Sequence, residues 1–450
     1  MAKFNLPNNT VIEHLFGKKS SASEEQTTPE NRSDNELISI DSKTLPIGSH
    51  GFSYFKEHNC FYADKTKVIE LLEKAQASNF FIHRPKGLGK TTLLSMLKSF
   101  YDISSKGIYE YIFKDLYIYN KNLPTSNTFC ILEFDFENID TIEDFSLEII
   151  SGIKNFCSKY HLRFEYQYHI GNNPITFMKT LLTDFFNCYL DSERKEPIYL
   201  MVDNYDSFDF QSPIEKYHQI LSKPETLRTF YHAIKKTQQR GIVSRSLCAG
   251  VIPIYHCFNY IQVGFNAVDL SFNPKFIDCV GLTENEINSL VKAVANDKNL
   301  SMEEVTETIC SNLDGYAFTF NDTCRIFNTK SCLKLISQVL SPSPFAATPL
   351  KMQTEFRILS SIYENYSRNL NEIDLALKDN NEYIMKNLLN LWSDNTTEQI
   401  CTILYFAGLF TLRSSIQTNT GEVRLSFRLT NVTIANTWKA VLNTKHKFMS

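Results

Sequence analysis

With 450 residues and 46 Lys+Arg against 50 Asp+Glu, a formal charge of −4, the chain lacks the whole-protein positive field that gathers nucleic acid or anionic membrane. Its length predicts two or three domains at about 100–200 residues each, and 34 Phe and 22 Tyr in periodic segments exclude a chain disordered throughout. The 11 cysteines form no CxxC and are odd in number, which predicts a reducing, cytoplasmic setting, while no signal-type start and no long apolar run predicts a membrane span; export through a specialised secretion system would leave no mark of this kind.

From Lys18 to Thr44 the chain is rich in Ser, Thr, Asn and Glu and reads as a disordered tail, residues 1–45, with order beginning near Pro46. SNFFIH, Ser78 to His83, predicts a strand, and Leu93, Met96, Leu97, Phe100 and Tyr101 recur at helical spacing just after it. FCILEFDF (Phe129 to Phe136) predicts a second strand, followed by an amphipathic helix marked by Ile142, Phe145, Ile149, Ile153 and Phe156. IYLMVD (Ile198 to Asp203) predicts a third strand, Leu227 to Lys236 a helix, and SLCAGV (Ser246 to Val251) a fourth strand. Strands alternating with helices predict an α/β fold, a parallel sheet with helices on both faces. From Thr283 to about Trp392 the pattern turns helical. A helix near Glu398 to Phe406, a strand at Leu409 to Arg413, a hairpin around Asn419 to Glu422, the strand RLSFRL and a helix over Val432 to Leu442 predict a small α+β C-terminal domain. The expected division is 46–275 for the α/β domain, 276–345 for a helical subdomain and 346–450 for the C-terminal part.

Between the first strand and its helix stands RPKGLGKTT, whose Gly89, Lys90 and Thr91 fill the last three places of the phosphate-loop pattern GxxxxGK[ST]. The chemistry needs that arrangement. Successive backbone N–H groups and the helix N-terminus face phosphate oxygens, Gly87 and Gly89 allow close approach, Lys90 reaches the β and γ phosphates, and the Thr91 hydroxyl ligates Mg2+. Candidate nucleotide-binding residues are therefore Arg84, Pro85, Lys86, Gly87, Leu88, Gly89, Lys90, Thr91 and Thr92. Asp203 ends the third strand, where a magnesium-holding carboxylate sits in such folds, so Thr91 and Asp203 are the candidate metal residues. The alternatives are a Gly-rich turn for the loop and a turn cap for Asp203.

Taken together these elements resemble the AAA-ATPase-like family of P-loop NTPases. Tyr62, Asp64, Lys65 and Thr66 resemble its Y-V-D-K-T segment, Arg84 to Thr91 its R-P-R-R-F-G-K-S loop, and Asp203 to Asp206 its D-E-Y-D. Phe230, Tyr231 and Lys235 resemble F-Y-x-x-L-K, and Gly250 to Pro253 resembles G-V-S-P. Leu282, Thr283 and Glu286 are similar to F-T-x-x-E, Asp314 to Phe318 to D-G-Y-R-F, and Phe327, Asn328 and Ser331 to Y-N-P-x-S. Members often carry a C-terminal nuclease-like domain, which is not expected within these 450 residues.

The resemblance implies ATP with Mg2+ as cofactors and a carboxylate after Asp203 that polarises water. Here Asn204 takes that place, and Ala317 replaces an arginine. A positioned base is worth ~10²–10⁴-fold in rate, roughly 3–5 kcal/mol, so the expectation is at most slow hydrolysis with Asp203, Asn204 and Asp206 as the catalytic set and with the helical and C-terminal parts responding to the nucleotide state. Asp206 is read equally well as a cap. Arg84 contacts the γ-phosphate or pairs with a carboxylate to brace the loop, His83 reads as a strand-end residue, and Glu133 or Asp135 faces the site or is a buried, bonded carboxylate. Two further functions stand beside slow ATP turnover: a hydrolysis-defective, nucleotide-stabilised module for a protein partner, and an ATPase acting on nucleic acid through a winged-helix-type terminal domain. For the last, Arg413, Arg424, Arg428, Lys439, Lys445 and Lys447 form no tight basic cluster.

Overall fold

A computed structural model describes residues 39–40, 43–48, 51–137, 139, 141–166, 173–206, 225–254, 265–295, 302–319, 324–340, 353–380, 382–385, 396–417 and 423–449. Most of the segment read as a tail, with Trp392, the turn around Asn419 to Glu422 and Lys445 and Lys447 as side chains, lies outside what is described. Ordered backbone nonetheless starts upstream of Pro46, since Lys43–Thr44 pairs with Ser39–Ile40, and Leu45 is buried.

Five strands form the central sheet: β1 (Asn79–His83), β2 (Cys130–Asp135), β3 (Ile198–Asp203), β4 (Val243–Gly250) and β5 (Val268–Asp269). They lie in the order β2-β3-β4-β1-β5, every neighbouring pair parallel. All six residues of β3 are buried, so side chains leaving both faces of this strand are covered, as parallel sheets require. The cover comes from α1 (Lys67–Lys74), α2 (Lys90–Tyr101), α3 (Ile142–Tyr160), α4 (Pro174–Asp191) and α5 (Glu225–Gln239). The abundant phenylalanine finds its use here: Phe134 of β2 and Phe136 just beyond it meet Phe145 of α3 and Phe230 of α5 in tilted and edge-to-face contacts. Sequence periodicity missed α4, whose Asn173 side chain caps its first turn ahead of Pro174, and the two-residue β5, too short to show a period.

Downstream, β6 (Leu282–Thr283) pairs antiparallel with β7 (Ile326–Phe327), among α6 (Glu284–Ala295), α7 (Met302–Leu313) and α8 (Thr329–Leu340). These enclose a separate apolar cluster that includes Ile287, Leu290, Ile309 and Ile336. The chain continues through the long helix α9 (Gln353–Asn380), bent at Tyr366, then β8 (Tyr383–Met385) and α10 (Thr396–Phe406). It ends with β9 (Phe410–Gln417), β10 (Val423–Leu429) and α11 (Val432–Met449). The three strands form an antiparallel sheet in the order β8-β10-β9. Buried residues of this last part, Leu404 and Phe410 among them, join the same apolar cluster as the central sheet.

Candidate functional site

Because β4 lies between β1 and β3, the carboxyl ends of these three strands open side by side, the position where parallel α/β sheets take ligands. The loop from Arg84 to Gly89 leaves β1 and runs straight into α2. Gly87 and Gly89 carry φ of 84° and 98°, a region that costs residues with a Cβ dearly. These two glycines curl the loop around the N-terminus of α2. Among the described residues, the amides of Gly87, Leu88 and Gly89 donate to no backbone carbonyl.

Lys90, the first residue of α2, is buried, and its Nζ donates to Arg84 O at 2.7 Å and Pro85 O at 3.1 Å. Burial pushes its ammonium down to about 8, against the opposing pull of Asp203 and Asp206. Thr91, next in the helix, donates Oγ1 to Asp203 Oδ2 at 2.6 Å. Burial raises the Asp203 carboxyl, while the Thr91 bond and Lys90 lower it, and burial prevails. One hydroxyl and one carboxylate oxygen from elements far apart in sequence thus meet beside the ammonium. Such hard oxygens fit a magnesium ion that keeps most of its water.

The residues after Asp203 divide their roles. Asn204 sits in the left-handed region, φ 48°, its backbone N–H donating to Asp203 Oδ1 at 3.0 Å and its Nδ2 to Asp135 Oδ1 at 2.8 Å. Asp135 stands opposite Asp203 on the neighbouring strand and is exposed; Glu133, also exposed, pairs with Lys98. Of the two carboxylates, Asp135 is the one at the site, and neither is a buried group. Asp206 is buried, and its Oδ2 accepts from the amides of Val251 at 2.9 Å and Ile252 at 2.7 Å. It ties the end of β3 to the end of β4.

Arg84 is entirely enclosed, and among the described residues its hydrogen bonds run to backbone carbonyls rather than to a carboxylate. Its Nη1 donates to His83 O (2.9 Å) and Ser271 O (2.8 Å), its Nη2 to Phe276 O (3.4 Å), and the guanidinium lies 4.0 Å from the ring centroid of Phe318. Burial lowers its pKa, and Asp269 is among the groups that oppose the shift. The loop is braced through carbonyls and an aromatic face rather than through a carboxylate. His83 is more than a strand end: its Nε2 lies 2.6 Å from Tyr205 Oη, its Nδ1 3.0 Å from Ser271 Oγ, and Asp269 is 3.3 Å away. Together with its other bonds this pair holds the Asp269 carboxyl well below the usual range in spite of burial. Lys86 is exposed at the loop's crest with Glu137 3.6 Å away; Pro85 and Leu88 are buried, and Thr92 is half-buried.

Sequence reading gave no site role to the groups on the loop's far side. Asn328 Nδ2 donates to Lys86 O at 2.8 Å, the Lys330 amide to Gly87 O at 3.0 Å and the Gly281 amide to Leu88 O at 2.7 Å. Asn328 was visible as part of a family-like motif and as a polar residue heading a helix, but no local signal shows that its partner is a loop some 240 positions earlier. Lys65 and Glu286, likewise from two separated motifs, form an ion pair at 2.6 Å.

Compared with known proteins, residues 46–257 match the sequence profile of a family described as Predicted AAA-ATPase. No curated protein matches the chain.

Proposed function

Since residues 46–257 match the profile of an AAA-ATPase-like family, we propose that the chain binds ATP with Mg2+ at the loop Arg84 to Thr92 and hydrolyses it at most slowly. The observation that carries this reading is the meeting of Thr91 Oγ1 with Asp203 Oδ2 at 2.6 Å beside the buried Lys90 ammonium. The amides of residues 87–89 and the N-terminus of α2 would receive phosphate oxygens, and Lys90 would exchange its two loop carbonyls for the triphosphate. Thr91 and Asp203 would hold the magnesium, which when bound neutralises charge on the β and γ phosphates. On this reading Pro85, Lys86 and Leu88 shape the loop's path, and Arg84 braces it from behind.

Slow turnover follows from Asn204. A carboxamide accepts no proton, but with Nδ2 committed to Asp135 its Oδ1 is left to orient a water. Asp206 does not replace the missing base, because one of its oxygens already carries two backbone amides. That same pair of facts favours the second reading, a hydrolysis-defective module in which ATP supports the fold and a protein partner binds elsewhere. Action on nucleic acid gains no such support: Arg428 and Arg413 of the terminal sheet face Asp314 and Glu382 at 2.7 and 3.6 Å.

Thermal unfolding with ATP, GTP and magnesium tests the proposal. At about 100 times its dissociation constant a nucleotide adds roughly 2.7 kcal/mol of stability. The native chain should show a rise with MgATP and Lys90→Ala none; equal shifts in both, or none in the native chain, would refute it. Phosphate release then separates slow turnover from none.

A further inference from the structure

We propose that Asn328 is a positioning residue for the phosphate loop, and that through it the helical segment carrying α8 is coupled to whatever occupies that loop. The inference rests on the nucleotide-binding reading for the identity of the occupant, a triphosphate, but the positioning itself stands on geometry alone. A loop that turns its N–H groups towards an anion must turn its carbonyls the other way, and buried carbonyls need donors. Those of Lys86, Gly87 and Leu88 receive them from Asn328 Nδ2 (2.8 Å), the Lys330 amide (3.0 Å) and the Gly281 amide (2.7 Å). Leu88 O also accepts from Thr329 Oγ1 at 3.3 Å, so three of the four donors belong to residues 328–330, at the start of α8.

Asn328 performs two tasks at once. Its Oδ1 accepts from the Ser331 amide at 3.1 Å, capping α8, while its Nδ2 reaches the loop. The fit is close: a Cβ on Gly87 would come within 2.8 Å of Asn328 Oδ1 and 3.2 Å of Lys330 Cβ. The loop's glycine therefore serves the helix on its outer side as well as the strained turn. The segment downstream of β6 is held at a second point by Lys65 and Glu286; α6 to α8 pack in their own apolar cluster, while Tyr316, Ala317, Phe318 and Ile326 join that of the sheet. Any ligand that fixes the loop's curve strengthens the seat for α8, and by linkage a well-seated α8 strengthens ligand binding by the same factor.

The test separates the two tasks of Asn328. Asn328→Ser keeps a good cap but is too short to reach Lys86 O; Asn328→Ala loses both. Hydrogen exchange is followed in the full chain at the two amides that donate to loop carbonyls, Gly281 and Lys330, over the loop itself (residues 84–92) and over the later turns of α8, with and without MgATP, beside a fluorescence titration with a labelled ATP. In the ligand-free Ser variant the Gly281 and Lys330 amides should exchange at least about tenfold faster than in the native chain, while the later turns of α8 stay protected. Native protein should gain protection at the loop and at these two amides on adding MgATP, and the Ser variant at the loop only, with affinity lower by about tenfold. Exchange of the two amides within twofold of native in the Ser variant, with only the Ala variant affected, would reduce Asn328 to a helix cap and overturn the proposal. Absence of any ATP effect on the native chain would instead sink the nucleotide reading, and the ligand-free comparison would still decide the positioning role.

Discussion

Asn204 shows how much one backbone angle constrains a substitution. At φ 48° it occupies a region that asparagine tolerates and that costs most side chains about 1–2 kcal/mol. Asn204→Glu should therefore lower thermal stability slightly while raising phosphate release by one decade or more, because it supplies the carboxylate that the proposed chemistry lacks. A destabilised variant with unchanged turnover would show that the base is not what limits the rate. At this scale the sequence was legible where neighbours in the chain act together: the turn at Gly87 and Gly89, the Lys90 ammonium and the Thr91 hydroxyl are consecutive, and the fold gathers them at the start of α2. It was not legible for Arg84, whose three carbonyl partners and aromatic platform come from residues 83, 271, 276 and 318. Ala317 is similar. It is buried, its amide donating to Thr411 Oγ1 and its carbonyl accepting from Tyr405, partners that composition does not reveal.

Between elements, two contacts carry measurable weight. Gly152 of α3 lies against β2, where an added Cβ would sit 2.4 Å from the Phe134 ring and 2.7 Å from Glu133 O. In an open helix alanine would gain about 1 kcal/mol over glycine; here overpacking, typically 1–3 kcal/mol, works against it, and the contacts are shorter than real Cβ atoms tolerate. Denaturant titration of Gly152→Ala should give a net loss of at least about 1 kcal/mol, and a gain would mean the helix stands farther from the strand. Glu73 of α1 joins Arg245 of β4 and accepts from Tyr101 of α2 at 2.7 Å. Burial raises its carboxyl, but the bonds from Arg245 and Tyr101 prevail and lower it. A carboxyl lowered in the fold contributes stability above its unfolded value near 4.3, and that contribution is lost as pH falls through the folded value. Glu73→Gln should thus cost about 1.5–3 kcal/mol at neutral pH, with the gap to the native chain closing as pH drops below about 4. Sequence periodicity located β1 to β4 because buried parallel strands are continuous apolar runs. The register that sets Asp135 opposite Asp203 had to await the sheet.

Over the whole molecule, one apolar cluster runs from Phe52 through the central sheet to Leu442, and a smaller one serves α6 to α8. Calorimetry should therefore record the sheet and the C-terminal elements melting in a single transition, with any separate, cooler event confined to residues 282–340. Removing residues 396–450 should lower the main transition rather than leave it in place; an unchanged melt would show that the shared core contributes little. The alternation of strands and helices revealed the parallel sheet, yet β8, a short strand standing well before its partner β10, left no pattern to read. No described helix is long and apolar enough to cross a membrane.

The turn closing α10 illustrates what such continuity entails. Gly408, at φ 86°, is packed so tightly on Pro85 that a Cβ would come within 2.9 Å of it. Genetic lesions at this distant turn ought accordingly to sort with lesions of the loop itself, producing the same phenotype and yielding to the same suppressors, though nothing in the linear order of the gene would connect them.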